Sequence, residues 1–559
     1  METEIPVPKR GKESLILGIS MFAMGGCGLA YEYTFSKTAS DLLGNSARQW
    51  AIIIGVMLFF MGVGADVQKY VKDRGLIDKL LLSELLIGFL GGFGPIALLF
   101  AYSHFASHFV LVQYFFICAI GLLIGFEIPL ITRINENYSK DLRINLGRIL
   151  KMDYIGSLCG ALAWIFILPR FFTMVEAAFV LSFFTTGVAF LGLFYFRRVL
   201  VFFPGVLVAG LVSVVALGFA FTRAGDWTSY AEQHLFIDRI VFSGTSKYQH
   251  IVLTESPQGE ISCYINGRLQ FNSTDEHIYH EMLVHPAMEL VQRRRKVLVL
   301  GGGDGLAIRE ILKYGDVESV LLVDIDPMIT DLASDNSYFT TLNHHSLSDA
   351  RTQVIKNRAL IDIGKEKIDV LNQNFPREGR IGTVAEIHIL NADAAKYIEQ
   401  IPGRFDVVIL DFPDPNSPEL AKLYSLQFYQ LLRSKLAKDG LFVQQSSSPV
   451  HTREAFLCIG RTMERAGFAV LPYRENVPSF GEWGWWIGGH ADRWTREQLG
   501  NRFQGIESLS VETRYMTTEL MRASRHFGKR QLISNHLDVS TISSPRVYDY
   551  YLRAWESED

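Results

Sequence analysis

The chain has 559 residues, too many for a single hydrophobic core, and this length indicates about two to four domains. Its charge is uneven: residues 1–225 carry 18 Lys and Arg against 14 Asp and Glu, whereas residues 226–559 carry 36 against 44. A net acidic C-terminal half lacks the basic footprint that phosphates require, so we expect no nucleic-acid partner and favour small cationic ligands.

The first 225 residues contain seven hydrophobic runs that are each long enough to cross roughly 30 Å of hydrocarbon. They lie at about 15–36, 49–66, 79–101, 107–131, 153–170, 174–196 and 199–221. Seven runs are too many for a signal peptide, and they predict an α-helical multi-span membrane bundle over residues 1–225, with the lipid bilayer of the cell (inner) membrane as its partner.

The Lys and Arg residues that flank these runs predict an orientation. Fourteen lie on the side of the N-terminus and four on the other side, which places the N-terminus inside the cell. With seven spans the same count delivers the C-terminal half to the outer face. A re-entrant hairpin at 153–170 would instead keep that half inside.

Four acidic residues lie within or at the ends of these runs, namely Glu32, Glu84, Glu127 and Asp153. A carboxylate at membrane depth costs several kcal/mol unless it is paired or hydrated. Two interpretations follow: the four residues line a polar cavity that holds a cation, or they pair with Arg side chains at helix ends or are exposed at the membrane interface.

The soluble half begins with the alternating segments 249–255 and 261–267, which predict strands of a small β-hairpin region within residues 226–295. Residues 296–559 then predict an α/β domain with a C-terminal extension. The run 296–314 places a buried strand, a glycine-rich turn and a helix in succession, and 319–326 supplies the next strand. This is a Rossmann-like βαβ unit of the kind that binds nucleotides.

The charge of the glycine-rich turn indicates which nucleotide it binds. Gly301 and Gly303 let backbone approach a ligand, but Asp304 would repel the pyrophosphate of a dinucleotide. An S-adenosyl sulfonium compound, which is positive and lacks phosphate, suits this turn. Asp324 ends the second strand and would bind the ribose hydroxyls. Asn391 and Asp393 follow the third strand, 385–390, where they would meet the adenine amine.

The fourth strand, 405–411, ends in the sequence Asp-Phe-Pro-Asp-Pro. Asp411 and Asp414 would form a small anionic pocket at the carboxyl end of a central strand, in a loop that two prolines restrict. One of these carboxylates can act as a base. The alternative is a surface turn rich in Asp and Pro.

Six motifs follow one another in order between about residues 240 and 490, namely 246-SKYQHIVL-253, 266-NGRLQFNSTDEHIYHEMLVHPAM-288, 300-LGGGDG-305, 323-VDID-326, 393-DA-394 and 411-DFPDP-415. With these motifs the chain resembles the spermidine synthases and related aminopropyltransferases. A subset of that family carries an N-terminal multi-span membrane domain, which residues 1–225 also resemble.

The resemblance implies transfer of the aminopropyl group of decarboxylated S-adenosylmethionine, the co-substrate, to putrescine or a related diamine, giving spermidine and methylthioadenosine without a metal. It also implies a homodimer. By position, Asp411 would be the general base, oriented with Tyr279, and Asp414 would hold the distal ammonium. The residues expected to hold the nucleoside are Gln249, Gly301, Gly303, Asp304, Asp324 and Asp393, and those expected to handle the amines are Gln270, Tyr279, His280, Asp411 and Asp414.

The chain departs from the family pattern at three places. Asp324 stands where the family usually has Glu, and residues 350–384 form an apparent insertion with a predicted helix at 360–374. In 478-PSFGEWGWW-486, where the family tends to place a Tyr or Trp over the amine site, Glu482 is a candidate for the amine pocket, so the length of the acceptor stays open.

Two other functions remain as alternatives. One is an S-adenosylmethionine-dependent methyltransferase acting on a membrane-delivered amine or lipid, and the other is a polyamine-sensing transport protein. The intact acidic pair Asp411 and Asp414 argues against a purely sensory role. A cytosolic nucleoside pool favours a catalytic domain in the cytoplasm, in conflict with the face that the Lys and Arg count predicts.

Overall fold

The computed structural model describes residues 12–43, 46–138, 141–348, 353–356, 385–401, 403–534 and 538–556. The chain divides into two compact units, Met1–Arg239 and Ile240–Asp559, called here the helical unit and the α/β unit. The predicted helix at 360–374 lies outside the described residues.

The described residues of the helical unit form eight α-helices. They are α1 (Lys12–Leu43), α2 (Ser46–Val67), α3 (Leu76–His104), α4 (Phe109–Asn135), α5 (Leu142–Phe166), α6 (Leu168–Phe171), α7 (Met174–Tyr195) and α8 (Phe203–Gln233). With α6 counted as the continuation of α5, seven helices are long and apolar enough to cross a membrane, as the seven hydrophobic runs predict.

The proposed re-entrant hairpin at 153–170 is wrong. One continuous helix, α5, occupies most of this segment and leads directly into α6. The glycines of α5 do not form a turn but pack against α1: a Cβ on Gly156 would lie 1.9 Å from the carbonyl oxygen of Phe22, and one on Gly160 would lie 2.2 Å from that of Gly26. The two helix backbones therefore touch, as small residues permit in bundles of this kind.

The α/β unit begins with a four-stranded sheet in which β2, β3 and β4 are joined by antiparallel pairing. Its strands are β1 (Arg239–Thr245), β2 (His250–Glu255), β3 (Ile261–Ile265) and β4 (Arg268–Asn272). The sequence predicts a hairpin here, and the sheet is twice that size. The expected domain boundary at residue 225 falls inside α8, because this helix continues beyond its apolar segment.

A second, eight-stranded sheet forms the centre of the α/β unit. Its strands are β5 (Lys296–Gly301), β6 (Ser319–Asp324), β7 (Gln353–Lys356), β8 (Glu386–Asn391), β9 (Phe405–Asp411), β10 (Leu436–Gln445), β11 (Phe468–Val477) and β12 (Gly481–His490). The strand order is β11-β12-β10-β9-β5-β6-β8-β7, and among the described strands of this sheet β12 is antiparallel to both β10 and β11, while the other pairs are parallel.

This sheet confirms the predicted Rossmann-like α/β fold. All four strands inferred around the glycine-rich turn are present as β5, β6, β8 and β9. Part of the apparent insertion belongs to the sheet, because residues 353–356 form the edge strand β7. The described helices of this unit are α9 (Glu276–Leu290), α10 (Leu306–Ile311), α11 (Pro327–Asp335), α12 (Ser337–Leu342), α13 (Ala394–Tyr397), α14 (Pro418–Ala421), α15 (Leu426–Lys435), α16 (Arg453–Arg465), α17 (Arg496–Gly505), α18 (Thr518–Ala523) and α19 (Arg546–Glu556).

Two hydrophobic cores lie on opposite faces of the central sheet. Along β5, Val297 and Val299 enter one core while Leu298 and Leu300 enter the other. A strand buried on both faces reads as a continuous apolar run, which explains why 296–300 carries no alternation. The parallel strands end at one edge of the sheet, and the polar residues that follow them meet there.

Candidate active site

The glycine-rich turn lies directly against the ends of two neighbouring strands. Gly301 is opposite Asp411 in the pairing of β5 with β9. Its φ is +82°, and a Cβ there would lie 2.1 Å from the carbonyl oxygen of Asp411. A Cβ on Gly303 would lie 2.7 Å from the carboxyl carbon of Asp324. Only glycine fits at these two positions, and both contacts hold acidic residues against the turn.

Asp324 lies at the end of β6 with both carboxylate oxygens held by backbone. Oδ2 accepts from the N–H of Gly303 at 3.0 Å and Oδ1 from the N–H of Asp326 at 2.8 Å. Burial raises the pKa of Asp324 to about 7, against the opposing effect of these two N–H groups. Each oxygen keeps a second acceptor position, which a ribose hydroxyl can use.

Asp411 and Tyr279 form a short, buried hydrogen bond. Tyr279 lies on α9 and donates its hydroxyl to Oδ1 of Asp411 at 2.6 Å. The ring is fixed by Trp485 and Phe480, with centroids at 5.7 and 6.2 Å. Burial raises the pKa of Asp411 to about 6, while the positive charge of His280 and the Tyr279 hydrogen bond lower it. The carboxylate therefore changes its protonation state close to neutral pH.

His280 brings a positive charge into this acidic site. One ring nitrogen of His280 and one carboxylate oxygen each of Asp304 and Asp411 lie within 4.8 Å of one another. Burial opposes protonation of the ring, but the hydrogen bond to Glu276, at 2.9 Å, and the nearby carboxylates raise the pKa of His280 to about 9. The ring is therefore charged at neutral pH. The sequence predicts the acidic residues of the site but not the positive charge of His280 among them.

Glu276 and Arg309 form a buried pair behind His280 that the sequence analysis missed. Arg309 of α10 donates from Nη1 and Nη2 to the two carboxylate oxygens of Glu276, at 2.7 and 2.9 Å. Burial opposes the charge, but the His280 and Arg309 contacts lower the pKa of Glu276 to about 2. The available signal was Arg309 itself, an arginine on the short helix that follows the glycine-rich turn.

Asp414 lies in a pocket lined by polar side chains from β10 and the loop after it. Gln445 donates to one carboxylate oxygen at 3.4 Å and Ser447 donates to the other at 3.2 Å. Burial raises the pKa of Asp414, against hydrogen bonds from Tyr551, Ser447 and Gln445. Ser447 has φ of +63°, which is uncommon outside glycine and often marks functional sites. Sequence patterns gave no indication of it.

Asp393 follows β8, and both of its oxygens have partners. Oδ1 caps α13 through the N–H of Ala395, and Oδ2 accepts from Nζ of Lys422 at 2.7 Å. Lys422 was not among the residues expected at the site. Asn391, expected beside Asp393 at the adenine, instead points its amide at Thr330, with a 3.2 Å hydrogen bond.

Two further expected residues, Gln270 and Gln249, lie in or beside the four-stranded sheet. Gln270 of β4 donates its side-chain amide to the carbonyl of Arg268 at 3.1 Å. Gln249 belongs to a loop held by Ser246, which donates to Asp326 at 2.7 Å. Both remain candidates.

Glu482 of β12 is not brought to the acidic cluster. It forms an ion pair with Arg474 and accepts from Gln531 at 3.0 Å. Side chains alternate along a strand, so Glu482 points to the face opposite Trp483 and Trp485, and these two tryptophans lie on the Tyr279 side.

Comparison with known proteins identifies the family to which this site belongs. The model of the spermine/spermidine synthase domain matches residues 276–359 and 350–493. A spermidine synthase from Thermotoga maritima, solved by crystallography, aligns with 53% of this chain and 87% of its own, at 24% identity and a TM-score of 0.39.

Similarity to curated proteins extends over nearly the whole chain, including the helical unit. Polyamine aminopropyltransferase 2 of Ralstonia nicotianae is 38% identical over 553 residues, covering 98% of this chain and 99% of that protein. The polyamine aminopropyltransferase of Leptospira interrogans is 36% identical over 544 residues, covering 96% and 98%. The chain therefore belongs to the spermidine synthase family and is a polyamine aminopropyltransferase.

Proposed function

We propose that the α/β unit moves the aminopropyl group of decarboxylated S-adenosylmethionine to putrescine or a related diamine. Spermidine and methylthioadenosine are the products when putrescine is the acceptor. The observation that carries this proposal is the 2.6 Å Tyr279–Asp411 hydrogen bond at the carboxyl edge of the sheet, with Asp304 close by. A base and two further acids at one strand edge suit a reaction between two cationic substrates.

The reaction requires removal of a proton from the acceptor. An alkylammonium has a pKa near that of lysine, about 10.4, so the amine arrives protonated and cannot attack. Asp411 accepts the proton, and the freed nitrogen lone pair attacks the carbon next to the sulfonium. The new C–N bond forms as the C–S bond breaks, and its electron pair neutralises the sulfur, which leaves as a thioether. Tyr279 keeps the carboxylate oriented during this step.

The remaining expected residues have supporting roles in this proposal. Asp304 holds the amino end of the transferred group, and the methionine carboxylate of the undecarboxylated compound would meet like charge there. Asp324 binds the ribose hydroxyls. Asp414, with Ser447 and Gln445 beside it, holds the distal ammonium of the diamine.

We assign the close cluster of His280, Asp304 and Asp411 to the substrates and not to a metal. Against the effect of burial, the hydrogen bond to Glu276 and the nearby carboxylates raise the pKa of His280 to about 9, which favours an imidazolium that pairs with the two acids. The same charge stabilises the ionised forms of the two neighbouring carboxylates.

The decisive experiment compares Asp411→Asn with wild type. We expect methylthioadenosine formation to fall by about two to four orders of magnitude, because the amine keeps its proton. Binding of decarboxylated S-adenosylmethionine, measured by calorimetry, should stay within about threefold of wild type, since Asp411 is not expected to hold the nucleoside.

Asp492→Asn is the matched control, because Asp492 is exposed and has no role in the proposed reaction. Its rate should equal that of wild type. A wild-type rate in Asp411→Asn would refute the assignment of the base. Detection of a methylated product, one carbon heavier than the acceptor, would refute aminopropyl transfer itself.

We further propose that the helical unit spans the cell (inner) membrane. Seven helices have the necessary length and composition. Large apolar side chains also point outward from these helices: Leu158 and Phe166 of α5 are 60% and 69% exposed, and Val215 of α8 is 71% exposed. Such a surface is unfavourable in water and suits lipid.

We propose that the α/β unit faces the cytoplasm, where its nucleoside co-substrate is found. With seven spans, this arrangement requires the N-terminus to lie outside, against the side that the Lys and Arg count favours. The proposal gives more weight to the access of the charged nucleoside than to the Lys and Arg count. A homodimer is also proposed, from the family resemblance.

A further inference from the structure

Two glutamates are fully buried inside the helical unit without adequate partners. Glu84 of α3 and Glu127 of α4 are both 0% exposed. Among the described residues, neither carboxylate oxygen of Glu84 makes a hydrogen bond, nor does Oε2 of Glu127. Oε1 of Glu127 accepts only a long hydrogen bond, 3.4 Å, from Ser83. A bare carboxylate in an apolar interior is costly, so these groups require a proton or a cation from outside the chain.

Basic side chains of the helical unit do not supply that cation. The ion pairs found among its described residues join Lys37 to Asp41, Lys69 to Asp66, Arg133 to Asp73 and Arg223 to Asp226. Three of them lie at helix ends or in connections, the fourth lies in the polar last part of α8, and none includes a buried glutamate. The interpretation that the acids pair with Arg at helix ends therefore fails for Glu84 and Glu127.

A third carboxylate extends the group towards α1 and α5. Asp153 of α5 lies over Gly25 of α1, where a Cβ would come within 2.5 Å of its Oδ1, so the glycine leaves the room that this side chain occupies. The charges of Glu84 and Asp153 both act on Glu127. Helices α1, α3, α4 and α5 thus surround one group of acids.

Unpartnered hydroxyl groups continue the polar lining. One turn after Glu84 on α3, Gly88 leaves space beside Thr186, whose Oγ1 would lie 3.2 Å from a Cβ at that position. The Thr186 hydroxyl is buried and has no hydrogen-bond partner within the described part of the chain. Ser20 of α1 lies close enough to Glu84 to interact with it. Carboxylate and hydroxyl oxygens together are acceptors for the N–H groups of an ammonium.

The spacing of these acids disfavours a single metal ion. In the described residues, the groups of three His, Cys, Asp or Glu side chains close enough to share one ion both lie in the α/β unit. Glu84, Glu127 and Asp153 do not form such a group, so a cation with several separate ammonium groups suits them better than one ion.

We propose that Glu84, Glu127 and Asp153 form a binding site in the helical unit for an extended polyammonium cation. Glu84 and Glu127 hold the buried ammonium groups, and Asp153, which is half-buried, holds the end nearer the surface. The product of aminopropyl transfer is a cation of this class. The choice of spermidine as the probe therefore rests on the proposed function, whereas the site itself rests on the unpartnered acids.

The test measures how many spermidine molecules bind to the full-length protein in detergent, by equilibrium dialysis with the radiolabelled amine. The double variant Glu84→Gln, Glu127→Gln should lose one binding site, with affinity for that site reduced about tenfold or more, since each carboxylate provides a charge-assisted hydrogen bond. Glu136→Gln is the matched control, because Glu136 is exposed at the end of α4 and should leave binding unchanged.

Aminopropyl transfer to putrescine is measured on the same samples and should equal wild type in both variants. A wild-type protein without transfer would refute the proposed function and leave the binding result to be judged separately. An unchanged number of bound spermidine molecules in the double variant would overturn the proposed site. The proposed site would also be overturned if NaCl, at the ionic strength of the spermidine solution, displaced all of the bound spermidine, because such displacement indicates non-specific attraction.

Thermal unfolding of wild type and the double variant shows whether the substitutions cause a folding defect. Glutamine matches glutamate in size and removes a buried charge, so the double variant should have a Tm at or above that of wild type. Spermidine should raise the Tm of wild type more than that of the double variant. Equal shifts in the two proteins would count against the site.

Discussion

His280 decides how the acidic site behaves with pH. Asp411 can accept a proton only when ionised, and its pKa is raised to about 6 by burial. We therefore expect kcat/KM for putrescine to fall as the pH is lowered through about 6. The charge of His280 lowers the pKa of Asp411, so His280→Gln should move this acid limb to higher pH by about one unit.

The measurement is methylthioadenosine release from about pH 5 to about pH 9, since the limb of kcat/KM reports the free enzyme. Asp439→Asn, which changes an exposed carboxylate paired with Arg493, should leave the limb in place. An acid limb that does not move in His280→Gln would show that the imidazolium does not control the base.

Asp414 determines whether the acceptor must be a diamine. Loss of its charge in Asp414→Asn should raise KM for putrescine about tenfold or more, with a smaller effect on kcat, because the distal ammonium lies away from the reacting nitrogen. Propylamine, which lacks that ammonium, should react equally with wild type and variant. The ratio of kcat/KM for the two amines is the measured quantity, and an unchanged ratio would remove Asp414 from the acceptor site.

At the scale of elements, α9 connects the glycine-rich turn to the catalytic edge. It carries Glu276, Tyr279 and His280, and its first turn is tied to α10 through Arg309. Because α9 also packs in the core on one face of the sheet, a change in the ion pair should affect stability as well as the site.

Glu276→Gln should lower the free energy of unfolding of the α/β unit by about 3 kcal/mol, since it removes one of the two carboxylates that pair with the buried Arg309, the other being Glu310. The corresponding fall in Tm, followed by circular dichroism on the full chain, is on the order of 10 °C. Asp316→Asn, which breaks the exposed pair with Arg294, should cost about 1 kcal/mol or less. Equal shifts in the two variants would contradict the importance of the buried pair.

Local patterns predicted the elements that position the site. The strands that end at Gly301, Asp324 and Asp411 were readable because apolar runs, glycines and acids follow one another directly in the sequence. Contacts between residues that are far apart in the sequence could not be predicted in this way. Glu276 and Arg309 meet only after α9 and α10 pack together, and Lys422 reaches Asp393 from another helix-rich segment.

Glu482 illustrates the opposite error. It was proposed from its neighbours in the sequence, but alternation along β12 turns it away from Trp483 and Trp485. Its partner Arg474 lies on the adjacent strand β11, in a pairing that a linear sequence does not reveal.

At the scale of the whole molecule, the two units differ in charge and hydropathy, and this difference is visible in the sequence. The number of apolar helices was predicted because each run exceeds the length of an ordinary buried helix. The end of α8 was not predicted, because this helix continues with polar residues after its apolar part. Composition identifies where lipid-compatible sequence stops but not where a helix stops.

The proposed orientation can be measured with reporters fused after the last residue. A fluorescent protein that folds only in the cytoplasm should fluoresce, and alkaline phosphatase, which is active only outside, should be inactive at the same position. Fusions in successive connections between the long helices should alternate between the two results if all seven span the membrane. Active phosphatase at the C-terminus would place catalysis on the outer face.

The imidazolium beside Asp411 also bears on how quickly the enzyme can turn over. Spermidine leaves with one more positive charge than putrescine brings, so an acidic pocket without compensation would retain its product more firmly than its substrate. His280, held protonated by Glu276, offsets part of that attraction throughout the cycle. We therefore expect His280 to limit product inhibition by spermidine and to reduce the affinity for the incoming diamine.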